Sequence, residues 1–343
     1  NGASVICLER NSIAGGNGNL TRCIFGIGSS MEKAAGEDAD PGEFVRMELE
    51  SSQCRGSGPA IVDLAEHSGE NIDWLIDNGV SFECLEHGTA HSFTGSPAGG
   101  NERYVTPMLA KCEELDVDIR LKTCATRLIQ DASGAVTGLY ADRSDGTLQV
   151  NAKAVILAGG GFVENADYML DFGIDLSKSI QLGNSGHDGS TIQMALNAGS
   201  KSNIKNAGFQ LCMQVNGLPP YTTGGLMSST MGDSVPTAVW VNQDCKRFVN
   251  EDCCLENWAM ADMTAMGNDE TYLVWDSKTL DAFVDYVVDS GATEDEVMAE
   301  FQMGLDSGEI VQADTLEQAA SALGMNAAAL KETIGQYNGF VEA

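Results

Sequence analysis

The apolar positions of this chain change period several times, and each change predicts an element. Ser4-Val5-Ile6-Cys7-Leu8-Glu9 is a short apolar run ending in an acid, which predicts a buried strand, and Gly15-Gly16-Asn17-Gly18-Asn19 predicts the loop after it. Between 42 and 82 the period lengthens to that of helices. Ile61, Leu64 and Ala65 share one face there, as do Ile72, Leu75 and Ile76, and Gly79 is placed to end the helix. Pro107 suits the first turn of a helix over 107–116, in which Met108, Leu109, Cys112 and Leu115 recur every three or four residues. Alternation follows: Val117, Ile119 and Leu121, then Leu128-Ile129, Val136, Leu139-Tyr140, Leu148 and Val150, with turns at Asp131–Gly134 and Asp145-Gly146. Ala154-Val155-Ile156-Leu157-Ala158 is apolar throughout, which predicts a strand covered on both faces that empties into Gly159-Gly160-Gly161. A helix at about 190–198, short strands and Gly/Pro turns over 206–250, and a mainly helical stretch over 262–343 complete the pattern.

Composition narrows the class. The 343 residues are 43% hydrophobic and only 20% charged, so the chain has the means to build cores and is not a disordered acidic tail. Its 50 Asp+Glu against 19 Lys+Arg give a formal net charge of -31, which argues against binding nucleic acid or an anionic membrane surface. Seventeen of those acids fall in 262–343, beside only Lys278 and Lys331, and predict a solvated face. Ten cysteines without a CxxC pair, and four His, offer no metal site; reduced, mostly buried thiols are expected, and adjacent Cys253-Cys254 are poorly placed to bridge each other. No run long enough to cross a membrane is present. The length predicts two domains.

Three motifs carry chemistry. A strand ending in Glu9 and followed by Gly15-Gly16-Asn17 matches the second strand of a Rossmann-like unit, whose terminal acid takes the adenosine ribose hydroxyls while a glycine turn admits a pyrophosphate. Read alone, it is equally an ordinary surface turn. Ala154–Gly161 has the form of a parallel strand opening onto a cofactor, or of a tight strand exit. Lys246-Arg247-Phe248-Val249-Asn250-Glu251 by itself reads as a solvated basic-aromatic turn. Glu9 suits the adenosine of either NAD or FAD; the long β-rich stretch before Ala154 and the later insertion favour FAD.

In this order, together with Ile72-Asp73-Trp74-Leu75 and Asn78-Gly79-Val80, these motifs are similar to the FAD-dependent fumarate reductase/succinate dehydrogenase flavoprotein family, which includes flavocytochrome fumarate reductases, urocanate reductases and 3-ketosteroid dehydrogenases. The resemblance runs along essentially the whole chain. It implies an α/β fold: a Rossmann-like FAD-binding domain over about 1–205, with an inserted α+β cap over about 206–343 that binds substrate. It also implies an internal fragment, truncated at both ends. Asn1-Gly2 falls where the helix after the GxGxxG unit would end, and Ile334–Asn338 falls where the helix before the closing segment would lie. On that reading about 30 residues precede the chain and on the order of 100 follow it.

By resemblance Glu9 binds the FAD ribose, with Arg10 beside it, and Gly15, Gly16, Asn17 and Gly18 form the pyrophosphate loop. Cys23 and Ile24 stand where two small residues flank the flavin ring; Cys124 and Ala125 lie on the adenine side. Ala158, Gly159 and Gly160 form the strand-exit loop, and Gly189-Ser190-Thr191 replaces a Gly-Asp-Gly, with Asp188 two positions early as a substitute acid. The catalytic positions depart from the family. Leu255 stands at the proton-delivering Arg, Cys212 near a His, and Thr230–Ser234 on a relay whose Glu and Arg are Met231 and Ser234. Leu255 cannot donate a proton and Met231 and Ser234 cannot relay one at neutral pH, and the local cationic clamps for a dicarboxylate are gone, which argues against fumarate itself.

What is implied is hydride transfer between flavin N5 and an activated C=C or CH–CH bond. Leu255, Met227, Met231, Tyr221 and Cys212 would form a more apolar pocket for an enone or aromatic acrylate. Tyr221 and Glu256 are the candidate proton donors, then His91 and Arg103. The partners expected are a small-molecule substrate and an electron donor such as a cytochrome, a reduced flavin or a quinol system. The alternatives are an NAD-linked Rossmann dehydrogenase and a flavoprotein that has lost catalysis and serves in electron transfer or interaction. The compartment, cytoplasmic or exported, stays open.

Overall fold

The structure is a computed structural model and describes residues 2–21, 23–86, 88–93, 101–177, 186–207, 238–251, 267–289 and 293–341. The chain divides into two compact units, Asn1–Ala207 and Gly208–Ala343.

In the first unit β1 (Ile6–Leu8) pairs in parallel with β5 (Asp118–Arg120), and the pairing runs on as Glu9 N–H donates to Arg120 O at 3.0 Å. The remaining sheets of this unit are antiparallel. β2 (Cys23–Phe25), β4 (Ala90–Phe93) and β3 (Phe82–Glu86) form one in that spatial order; β6 (Cys124–Gln130), β7 (Val136–Arg143) and β8 (Gly146–Asn151) form a meander. The turn of the first hairpin follows its sequence: Asp131 Oδ1 accepts the N–H groups of Ser133 at 2.8 Å and Ala135 at 3.1 Å.

The helices are α1 (Ser30–Ala35), α2 (Pro41–Ser51), α3 (Gly58–Asp77), α4 (Thr106–Glu114), α5 (Ala166–Asp171) and α6 (Ser190–Asn197). The face that α3 buries is Ala65, Ser68, Gly69, Ile72 and Leu75, not the one centred on Leu64 and Ile76, which are 47% and 38% exposed. The cause is local. Ser68 Oγ accepts the Ile27 N–H at 3.0 Å, and a Cβ on Gly69 would stand 2.2 Å from Ile27 O, so only small residues let the helix approach this loop. Gly79, at φ +93°, closes α3 as expected, with Val80 N–H returning to Leu75 O at 3.0 Å. Beyond it Leu75, Val80 and Phe93 make a small core with Phe82, Tyr104 and Met108.

Three expectations fail here. Residues 154–158 are not a strand: among the described residues no neighbour pairs with them, and Ile156 is 91% exposed. The predicted burial of the first strand also fails, since Val5 and Ile6 are 46% and 41% exposed. An apolar run specifies what a strand prefers to touch; it does not supply the neighbour. The thiols, finally, are free but not mostly buried: of the six described as such, Cys245 alone is buried.

In the second unit β9 (Val239–Asn242) pairs antiparallel with β10 (Thr271–Val274), an element the helical reading of 262–343 missed. Four helices follow: α7 (Ser277–Asp289), α8 (Glu294–Ser307), α9 (Leu316–Ala322) and α10 (Ala327–Val341). Val239, Val241 and Cys245 pack with Ala320 and Leu330; Phe283, Val297 and Phe301 form a second cluster. A capping box between Thr293 and Glu296 starts α8. The Arg247–Glu251 segment is no solvated turn. Glu251 is 2% exposed, ion-paired to Arg247, and accepts the Trp240 N–H at 3.1 Å, while the guanidinium lies 4.9 Å from the centre of the Tyr337 ring. Among the described residues no helix is long and apolar enough to cross a membrane.

Candidate functional site

The residues nominated around an adenosine converge at the C-terminal end of β1. Glu9 is half-buried there, and its Oε1 accepts the Asn11 N–H at 2.7 Å, which turns the carboxylate into the bend after the strand. Arg10 reaches across to the turn before α6. Its Nη1 donates to Gly186 O at 3.2 Å and Asp188 Oδ2 at 2.9 Å; its Nη2 donates to Asp188 Oδ2 at 3.0 Å and Cys124 Sγ at 3.5 Å. Ala125 follows on β6, opposite Ala141.

The turn at 186–189 is held from every side. Glu164 accepts the Gly186 N–H at 2.7 Å and its own N–H donates to His187 O at 2.9 Å; Asn165 Nδ2 donates to Asp188 O at 3.0 Å. Gly189 N–H donates to Gly161 O at 3.1 Å, and Gly161 N–H to His187 Nδ1 at 3.3 Å, which stitches the glycine loop to the turn. Asp188 Oδ1 accepts the Ser190 N–H at 2.9 Å in an Asx turn that leads into α6, whose N-cap is Gly189. Partial burial works against ionising Asp188, but its hydrogen bonds from Ser190 and the Arg10 guanidinium outweigh it and hold the carboxyl below its ordinary range.

The glycines make close approach possible. A Cβ on Gly159 would stand 2.2 Å from Thr191 Cγ2, and one on Gly160, at φ +83°, 2.4 Å from His187 Nδ1. The loop therefore lies directly on the first turn of α6, whose N-terminal end favours an anion. Gly15 and Gly16 take φ +111° and +49°, conformations glycine adopts without strain, and lead into a 3₁₀ turn at Gly16–Leu20 that holds Asn17 and Gly18. Gly15 and Gly18 lie against Val105 and Tyr104, whereas nothing stands within 4 Å of where a Cβ on Gly16 would be.

These residues fit FAD. The open backbone at Gly16, the Gly159–Gly161 loop on a helix start and an acid at the end of a parallel strand suit its phosphates and ribose. Asn19 Oδ1 is buried without a hydrogen-bond partner, while its Nδ2 donates to Ala14 O at 3.0 Å; a ligand hydroxyl would satisfy that acceptor.

Cys23 and Ile24 sit apart from this cluster, on β2, opposite Ser92 and His91. His91 is fully buried, with Nδ1 3.1 Å from Thr89 O and Nε2 2.6 Å from Ser29 Oγ. A carbonyl only accepts, so Nδ1 carries a proton. Both ring nitrogens are engaged by interior partners. Arg103 lies in a π-helical turn, Asn101–Val105, ahead of α4. Tyr221, Leu255 and Glu256 lie outside the described residues, as do Cys212, Met227, Thr230–Ser234 and Cys253-Cys254. Sequence reasoning gave Asp188 only as a substitute and missed His187 and Glu164. An acid two residues before a helix start is the one signal that could have ranked Asp188 higher.

Comparison with known proteins gives the family. The family model for an FAD binding domain matches residues 1–342. The chain is 26% identical over 263 residues to a vinyl phenol reductase of Lactiplantibacillus plantarum, covering 73% of this chain and 52% of that one. It is 26% identical over 353 residues to a fumarate reductase (cytochrome) of Shewanella frigidimarina, covering 100% of this chain and 57% of that one. It thus spans about half the length of these curated relatives. In fold it is similar to a 3-ketosteroid-delta4-(5alpha)-dehydrogenase of Rhodococcus jostii RHA1, with a TM-score of 0.71 and 22% identity over 99% of this chain and 72% of the other. A glycine-lined, acid-terminated site of this form, in a chain matched along its length, has one reading: the chain belongs to the FAD binding domain family, and FAD is its cofactor.

Proposed function

We propose that the protein is an FAD-dependent oxidoreductase that transfers a hydride between flavin N5 and an activated C=C or CH–CH bond, with a substrate other than fumarate. The observation that carries the reading is the convergence of Glu9, the Gly159–Gly161 loop and the start of α6 at the end of β1, in a chain whose relatives include a vinyl phenol reductase and a fumarate reductase.

When bound, FAD supplies the hydride donor or acceptor. The chain's own residues hold it. Glu9 accepts the ribose hydroxyls, the Gly15–Gly18 and Gly159–Gly161 backbones admit the phosphates, and α6 directs its positive end toward them. Cys23 and Ile24 flank the ring. Residues 208–343 are the proposed substrate-binding unit of a longer flavoenzyme, with Tyr221 and Glu256 as its proton donors. Leu255, in place of a cation, selects a less charged substrate, an enone or an aromatic acrylate. A cytochrome, a reduced flavin or a quinol system supplies the electrons.

The test uses the complete gene product. Purified protein should absorb near ~450 nm from bound oxidised flavin. After photoreduction, a panel of enones and aromatic acrylates should include one that reoxidises it faster than fumarate does. Colourless protein that binds NAD stoichiometrically would overturn the FAD reading; flavin that no panel member reoxidises would favour a flavoprotein without catalysis.

A further inference from the structure

Arg10 stands beside the ribose acid, yet its geometry turns it away from a ligand. A guanidinium has five N–H donors. Four are taken here, by Gly186 O, Cys124 Sγ and, twice, Asp188 Oδ2. The other oxygen of Asp188 accepts the Ser190 N–H in the turn before α6. Asp188 is thus a carboxylate just ahead of the helix on which the Gly159–Gly161 loop packs, one residue from the Gly189–Gly161 hydrogen bond. Without a counter-charge it would repel a pyrophosphate there.

We infer that Arg10 is a positioning residue for FAD that does not itself hold the cofactor: it neutralises Asp188 and ties the end of β1 to the turn before α6, so that the acid that shapes this turn is tolerated beside the phosphates. The inference rests on the placement of FAD given above. It separates Arg10 from Glu9, with which sequence reading groups it, and makes the Arg10–Asp188 pair one functional unit.

The experiment compares FAD dissociation constants of the wild-type apoprotein and of R10M, D188N and R10M/D188N, read by flavin fluorescence, with far-UV circular dichroism to confirm folding. R10M should weaken FAD binding by about tenfold or more, D188N by less, and the double variant should recover most of the R10M loss, because the unpaired carboxylate is gone. Raising the salt from about 0.02 to about 0.5 M should narrow the R10M deficit, since screening blunts a repulsion between partly exposed charges. A purely structural role would give no such salt rescue. Equal losses in R10M and the double variant would mean that Arg10 contacts FAD directly and would overturn the inference, as would an R10M deficit indifferent to salt. Should R10M fail to fold, R10Q, which keeps donors but not the charge, carries the same comparison. Wild-type protein that binds no FAD would instead defeat the functional reading on which this one stands.

Discussion

At the residue scale the site depends on contacts too close for any side chain. Gly159→Ala places a methyl against Thr191, a β-branched residue in a helix that cannot rotate away, so the loop or α6 must move. We expect a loss of about 1–3 kcal/mol in thermal or urea unfolding and weaker FAD binding. Gly161→Ala, with nothing within 4 Å of the added Cβ, should change the stability little. The same measurement on both variants separates a shape requirement from a general intolerance of the loop. Asp188 gives a pH signature. Its folded pKa lies below the ordinary carboxylate value, so its stabilising contribution is complete above about pH 4 and is lost as the pH falls through the folded value. The effect is modest, because the side chain is 42% exposed and screened. Melting temperatures from pH 6 down to pH 3 should fall less steeply in D188N than in wild type; parallel curves would show that Asp188 contributes nothing to that limb.

At the element scale the Arg247–Glu251 segment shows what short-range reading cannot supply. Lys246–Glu251 looks like any charged turn, because nothing in those letters states that Glu251 will be 2% exposed beneath the Trp240 N–H. The buried member of the pair is the carboxylate, which also accepts the Trp240 N–H. Glu251→Ala leaves that buried N–H without its acceptor and should destabilise by about 1–3 kcal/mol in urea unfolding, more than the loss of a surface pair would. A value below about 1 kcal/mol would place the pair in effect at the surface. The helices of this unit were more legible. Thr293 caps α8 with Glu296 in a capping box, a local motif whose partners are three residues apart. Thr293→Ala should cost about 1 kcal/mol. For α3 the period alone was misleading. Its buried stripe runs through Ser68 and Gly69, because a tight loop, and not an apolar surface, lies opposite.

At the scale of the whole molecule, cofactor and stability are linked. On the proposed placement FAD binds the folded first unit and not the unfolded chain, so it should stabilise that unit in proportion to the logarithm of its concentration, by about 2.7 kcal/mol at 100 times the dissociation constant. Calorimetry at several FAD concentrations checks this, and a transition indifferent to FAD would contradict the site. The net charge of -31 belongs to this scale as well, and it argues against polyanionic partners without naming a positive one.

The sequence by itself determined most of the local elements: the β6–β8 meander, the closure of α3 at Gly79, α6, and the terminal helices, all set by interactions within a few residues. It also determined the cofactor family, through the order of several motifs along the whole chain and the resemblance that order carries; each motif alone is an ordinary turn or strand exit. Tertiary structure alone decided which of those residues work together. Arg10 and Asp188 are 178 positions apart, and only the fold brings them into hydrogen-bond contact. Tertiary structure likewise decided that the apolar run at 154–158 stays unpaired among the described residues, and that Glu251 is buried. Periodicity records what each residue prefers to face. Which partner it meets depends on chain segments far away in sequence, and no local pattern encodes them.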